Sequence, residues 1–260
     1  MRARPVEEST AVELTTAFPA LGRLKLWVPE AISSNTGASA AYPVGSWLES
    51  GEGLQQRVDP DDCFGPGNCE RIDANTLECC DIRFPVDQPV EWETTLRLQG
   101  EECAFTIRLT NLGDSTLWKA AAPICLRFLD PHWWSDEAAL ARANGRIVSL
   151  AELGRNAGQP NTFQAYLVLG QTYDHVFYRE FWGFNECRLD APMLVSEHAE
   201  AGVWVAIEAE QAYFMHSNRG NPCTDLMLAF GDVGPGHSAE AGGAVRVGRG
   251  RARDILEGLR

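Results

Sequence analysis

A run of strict two-residue alternation near the middle of the chain constrains its fold more than any other feature. Trp92, Thr94, Leu96 and Leu98 fall on one side of it, and Glu91, Glu93, Arg97 and Gln99 on the other. That period sends successive side chains to opposite faces of a pleated strand, one face buried and one wet. The pattern resumes after Gly100-Glu101 as Cys103, Phe105, Ile107 and Leu109, interleaved with Thr106, Arg108 and Thr110, which predicts an antiparallel hairpin. A turn at Asn111-Leu-Gly-Asp-Ser115 leads to a third run, Trp118, Ala120, Ala122, Ile124, Leu126 and Phe128. Three consecutive strands of this kind predict a meander, enough for an independently stable sheet.

Further short segments carry β-branched or aromatic residues between Gly, Pro, Asn and Asp: Tyr173 to Tyr178, Leu189 to Ser196, Val203 to Ala209, Ala212 to Ser217 and Ala244 to Val247. Such spacing predicts two packed sheets. Helical periodicity is confined to Asp136 to Asn144 and to Arg251 to Leu259, where Ile255 and Leu259 share a face. Residues 30 to 76, with Ser33-Ser-Asn-Thr-Gly-Ala-Ser39 and Asp59-Pro-Asp-Asp-Cys-Phe-Gly-Pro-Gly-Asn68, read as long loops. Gly234-Pro-Gly236 reads as a tight connection before a strand starting near Ser238. The expected fold is all-β, a two-sheet antiparallel β-sandwich of supersandwich or jelly-roll type, with long loops and a short C-terminal helix. With 260 residues, 45% of them hydrophobic, the chain can bury one core, and a single domain over residues 1–260 is expected.

A formal net charge of -14 repels phosphate backbones and anionic membrane surfaces, so neither nucleic acid nor a membrane is expected as a partner. Arg246, Arg249, Arg251 and Arg253 form the one basic concentration, and with Asp254 and Glu257 nearby it reads as a solvated helix face. The two early arginines are not followed by an apolar export segment, and nowhere do about 18 apolar residues run together. The eight cysteines are therefore read as reduced thiols and the chain as cytoplasmic.

Phosphate-loop, nucleophile-elbow, zincin and dinucleotide motifs are all absent. Cys63 and Cys69 are six apart, Cys79 and Cys80 are adjacent, and no Cys-x-x-Cys pair supplies two ligands to one metal. No metal and no cofactor are expected on this spacing, although strands of a sandwich can bring dispersed histidines together. Asp130-Pro-His-Trp-Trp-Ser-Asp136 and the cluster from Tyr173 to Phe184 mix aromatic faces with charged and hydrogen-bonding groups. Sugars need that mixture, because aromatic faces take the C–H surface of the ring and polar groups take its hydroxyls. The ordinary alternative is sandwich core with a wet outer face.

Three segments carry a resemblance: Leu109-Thr-Asn-Leu-Gly-Asp114, Val203-Trp-Val-Ala-Ile-Glu208, and Asn218 through Pro222-Cys223 to Phe230-Gly-Asp-Val-Gly-Pro-Gly236. Over residues 90–130 and 185–260 the chain resembles a group of bacterial β-sandwich proteins and, more loosely, the galactose mutarotase-like supersandwich. The resemblance implies the fold first. For an activity it implies a general acid and base across a sugar ring, a histidine and a glutamate, that open and reclose the hemiacetal. The family's Asn-His-x-Tyr-Phe-Asn-Leu type of motif has no counterpart here, so its catalytic residues do not carry over. On the residues present, His132, His175 or His216 is nominated as the acid and Glu180 or Asp225 as its partner. Trp133, Trp134, Arg179, Trp182 and Asn218 are nominated as substrate contacts.

The expected function is handling of a sugar, oligosaccharide or sugar derivative, by binding or by epimerase, lyase or hydrolase chemistry. Two alternatives from other classes stand beside it: a non-catalytic interaction or assembly module, and a cupin-like metal-dependent enzyme. The sequence does not set the oligomeric state.

Overall fold

The computed structural model describes residues 1–6, 11–29, 31–36, 40–45, 47–49, 55–57, 68–71, 76–83, 90–154, 163–173, 184–218 and 222–258. Its architecture is two antiparallel sheets packed face to face. The first contains β1 (Arg2–Pro5), β2 (Ala11–Thr15), β3 (Leu24–Trp27), β12 (Leu117–Phe128), β19 (Cys223–Val233), β18 (Ala212–Asn218) and β15 (Phe163–Leu167), hydrogen-bonded in that order. To it are added β4 (Ala31–Thr36), paired with β12, and β5 (Ala40–Gly45), paired with β4. The second sheet runs β14 (Arg146–Ser149), β13 (Ala139–Ala143), β16 (Met193–His198), β17 (Val203–Ala209), β20 (Ser238–Arg249), β11 (Glu102–Asn111), β10 (Val90–Gln99), β9 (Thr76–Arg83) and β8 (Asn68–Arg71). A separate ribbon pairs β6 (Trp47–Glu49) with β7 (Gln55–Arg57). Two short α-helices, α1 (Leu150–Leu153) and α2 (Ala252–Glu257), and two 3-10 turns, Pro19–Leu21 and Pro131–Trp133, complete the described elements. None of the described helices is long and apolar enough to cross a membrane.

The alternation in residues 90–111 behaves as its period requires. Val90, Trp92, Thr94, Leu96 and Leu98 are buried on β10, and Cys103, Phe105, Ile107 and Leu109 on β11, with β10 and β11 paired in register from Val90↔Asn111 to Gln99↔Glu102. One apolar cluster joins both sheets. Leu24, Leu26, Ile124, Leu126, Phe128 and Leu226 enter it from the first, and Trp92, Phe105, Ile107, Val205 and Val245 from the second.

The third run does not complete a meander. Strand β12 leaves the second sheet altogether and pairs with β3, β4 and β19 of the first, while the free edge of β11 is taken by β20. The crossing is pinned by Asn111, which is fully buried. Its Nδ2 donates to the carbonyls of Ser115 and Val233, and its Oδ1 accepts from the Gly113 amide. The side chain thus ties β11 of one sheet to the end of β19 in the other. Trp118, expected on the buried face, is 49% exposed. A bulge between Leu117 and Ala121, with Lys119 at φ 47°, resets the alternation before Ala120.

Three further expectations are corrected. Asp136 to Asn144 contains the strand β13, with Ala139, Ala141 and Ala143 buried in alternation, so pairing with β14 and β16 overrides the local helical preference. Within residues 30–76, the described parts include β4 to β8 and are not one long loop. Arg246 and Arg249 lie on β20 rather than on a helix, and Arg246 pairs with Glu102 and Glu208. The terminal helix is present as α2, and the Gly234-Pro-Gly236 turn leads into a strand that starts at Ser238.

Close approach of strands across β20 makes Gly243 obligatory. A Cβ added there would fall onto the Glu208 carbonyl oxygen and come within 2.7 Å of the Phe105 ring. Because a paired backbone cannot move aside, Gly243→Ala is expected to cost about 1–3 kcal/mol, as overpacking does elsewhere. The checking measurement is the urea midpoint, with the slope of the transition unchanged.

Candidate functional site on the outer face of the first sheet

In an antiparallel sheet, residues in direct register share a face. On the first sheet, Trp27 of β3 is opposite Cys125 of β12, Cys125 opposite Asp225 of β19, Asp225 opposite His216 of β18, and His216 opposite Ala165 of β15. A second row lies two residues along: Lys25, Arg127, Cys223 and Asn218. Their chain neighbours Leu26, Leu126 and Leu226 belong to the main core, so both rows point away from it, on the sheet's outer face. A small apolar cluster of Tyr173, Tyr213, Phe214, Met227 and Ala229 adjoins them on that face.

The middle of this patch is dry. His216 is 3% exposed, Asp225 1% and Cys223 2%. His216 Nδ1 lies 3.2 Å from Asp225 Oδ2, and the Cys223 thiol donates to the same Oδ2 across 2.7 Å. Asp225 Oδ1 accepts from the Leu126 amide of the adjacent strand at 3.1 Å, which fixes the plane of the carboxylate. Burial drives the His216 pKa down to about 3. A carboxylate at this distance favours the imidazolium, but desolvation of the ring outweighs it, so the imidazole is neutral at ordinary pH. Toward β3 the patch opens: Trp27, Lys25 and Arg127 are half-buried, and Lys25 Nζ sits 4.3 Å from the centroid of the Trp27 ring.

Chemically, such an arrangement offers a neutral imidazole able to exchange a proton, a carboxylate beside it, amide and guanidinium donors, and two thiols. Cys125, Cys223 and Asp225 bring one ligand atom each to within 4.8 Å of one another.

The nominated residues divide between two places. His216, Asp225 and Asn218 come together in the patch just described. His132 and Trp133 lie in the turn after β12, lining an open cleft of about 690 Å³ with Glu137, His198, Arg251 and Arg253. None of His216, Asp225 and Asn218 lines that cleft. Trp133 stacks on His198 with ring centroids 5.5 Å apart, and meets Phe128 edge-on at 5.2 Å. Trp134 is a core residue rather than a presented one: it is buried, stacks on Phe128, and donates its Nε1–H to Ser196 Oγ at 3.1 Å. His175, Arg179, Glu180 and Trp182 lie outside the described residues. Cys125, Arg127, Trp27 and Cys223 are not among the residues nominated from the sequence. Only strand register reveals them, because Cys125 and Asp225 are 100 residues apart and adjacent in space.

No protein-family model matches the sequence, and no curated protein sequence matches it. Solved structures do resemble it. The galactose mutarotase/aldose epimerase homologue from C. elegans superposes with a TM-score of 0.51 at 10% identity, over 92% of this chain and 98% of that one. The fold resembles that of this mutarotase/epimerase homologue. A galactose mutarotase-related enzyme from Lactobacillus acidophilus matches at TM-score 0.49 and 9% identity, covering 88% of this chain and 84% of the other. A putative aldose 1-epimerase from Escherichia coli K12 matches at 0.47 and 13%, covering 87% and 84%. At these identities the likeness concerns the mutarotase-like fold alone.

Proposed function

We propose that this chain binds or acts on a sugar or sugar derivative at the outer face of the first sheet, with His216 and Asp225 as its proton-transfer pair. The observation that carries this reading is the meeting of those two side chains at 3.2 Å on neighbouring strands, facing away from the core. Burial makes the imidazole a weak base in the empty site, so the Asp225 carboxylate beside it must stabilise the imidazolium as it takes a proton from a sugar hydroxyl and returns it, the exchange that opening and reclosing a hemiacetal requires. Asn218, Arg127 and the Trp27 ring supply hydrogen-bonding groups and an apolar face beside the pair. The mutarotase-like fold supports the same substrate class.

The test is a thermal-shift screen against monosaccharides, oligosaccharides, uronic acids and sugar phosphates. A ligand at about a hundred times its dissociation constant adds about 2.7 kcal/mol, a shift of several degrees for a chain of this size. The shift is expected with one sugar class, lost in His216→Gln and retained in His132→Ala. No shift with any sugar overturns the reading. A shift that survives His216→Gln and vanishes in His132→Ala moves the ligand to the Trp133 cleft and overturns the assignment to this face.

A further inference from the structure

We propose that Cys125, Cys223 and Asp225 form a binding site for a thiophilic divalent cation, zinc being the ion that best matches the donors. Two sulfurs and a carboxylate oxygen within 4.8 Å of one another are close to what a tetrahedral ion asks. With bonds of about 2.3 Å to sulfur and about 2.0–2.2 Å to oxygen, the ligand-to-ligand edges are on the order of 3.3–3.8 Å. Side-chain adjustments of about an ångström or less therefore close the site. Softness of the donors selects zinc over magnesium or calcium, which prefer all-oxygen shells.

The site is held by paired backbone. Cys125 and Asp225 are in direct register across β12 and β19, and Cys223 stands two residues from Asp225 on the same face. Asp225 already has the supporting contacts of a metal-binding carboxylate: Oδ1 is held by the Leu126 amide, which leaves Oδ2 turned toward Cys223 and His216. His216 is thereby a positioning residue for the cation site. Exposures of 6%, 2% and 1% for Cys125, Cys223 and Asp225 keep the donors dry. Among the described residues three side chains supply ligand atoms, and a tetrahedral ion takes one more. On loading, both thiols lose their protons to solvent, including the one Cys223 shares with Asp225. This inference does not depend on the ligand being a sugar.

The experiment uses the full chain, purified reduced and metal-free, titrated with Co²⁺ and then with Zn²⁺. One equivalent of cobalt is expected to produce thiolate-to-metal charge-transfer absorption, which zinc displaces. Zinc is expected to protect Cys125 and Cys223, located by peptide mapping, from alkylation. The Cys125→Ser/Cys223→Ser variant is expected to lose the absorption, and His216→Ala to weaken binding roughly 10- to 100-fold, as removal of supporting groups does at other metal sites. No charge-transfer absorption overturns the proposal, and so does absorption that persists in the double serine variant, because other cysteines would then hold the ion. Should that variant not fold, the unaltered chain decides: alkylation of Cys125 and Cys223 that zinc does not slow also overturns it. None of these readouts involves a sugar, so failure here and failure of the sugar screen are separate results.

Discussion

Phe128→Ala is expected to destabilise the fold by about 3–5 kcal/mol, the range for removing a large aromatic from a packed interior. Phe128 is 1% exposed at the end of β12, where the chain leaves the first sheet. Its ring is stacked on Trp134 at 5.7 Å and met edge-on by Trp133 at 5.2 Å. Through these two tryptophans it joins β12 to the second sheet, since Trp134 bonds Ser196 and Trp133 stacks on His198, both on β16. A chemical denaturation midpoint measures the loss, and tryptophan fluorescence reports the freed indoles. A cost under about 1 kcal/mol would mean that the site collapses to fill the cavity, contrary to the close packing seen around it.

Glu197→Ala is expected to cost about 3 kcal/mol and to undock α2. Glu197, at 9% exposure, accepts from the Ala252 amide at 2.8 Å and from Arg251 Nε at 3.0 Å. Its carboxylate stands at the N-terminal end of α2, where backbone amides lack intrahelical partners. The bond to the buried amide carries most of the effect, at about 1.5–3 kcal/mol for a charge-assisted bond. Arg251 is 73% exposed, so its ion pair adds at most about 1 kcal/mol. Undocking also exposes Ala252 and Leu256, which pack with Met193, Val195 and Trp204 on the outer face of the second sheet. Limited proteolysis at the C-terminal segment should accelerate in Glu197→Ala and much less in Glu197→Gln, whose amide oxygen can still accept from Ala252. Equal rates in all three proteins would remove Glu197 as the anchor.

The outer-face patch on the first sheet and the cleft beside Trp133 contain different parts of what the sequence suggested. Aromatic and polar residues adjacent in sequence, such as Asp130 to Asp136, divided their work: Trp134 went to the core, Trp133 to the rim of a cleft, and His132 to its surface. Of the acid and partner combinations the sequence offered, His216 and Asp225 are the one that the described residues bring together, at 3.2 Å in the patch. Local composition identifies which residues are chemically versatile, but pairing of β18 with β19 determines which of them stand side by side.

Alternation over residues 90–111 was sufficient in the sequence alone to define β10, β11, their hairpin and the faces they bury, because a period of two is a property of neighbouring residues. The turn before Ser238 and the terminal helix were legible for the same reason, as local turn and helix signals. Tertiary structure decided what depends on distant partners. It sent β12 to the opposite sheet through the buried Asn111, made a strand of Ala139–Ala143, and lined up Trp27, Cys125, Asp225 and His216 in one row. Strand pairing is non-local, and a shift of one residue in any of those registers would turn Asp225 or Cys125 into the core and dissolve the site. The alphabet of the patch is in the sequence; its assembly is set by register.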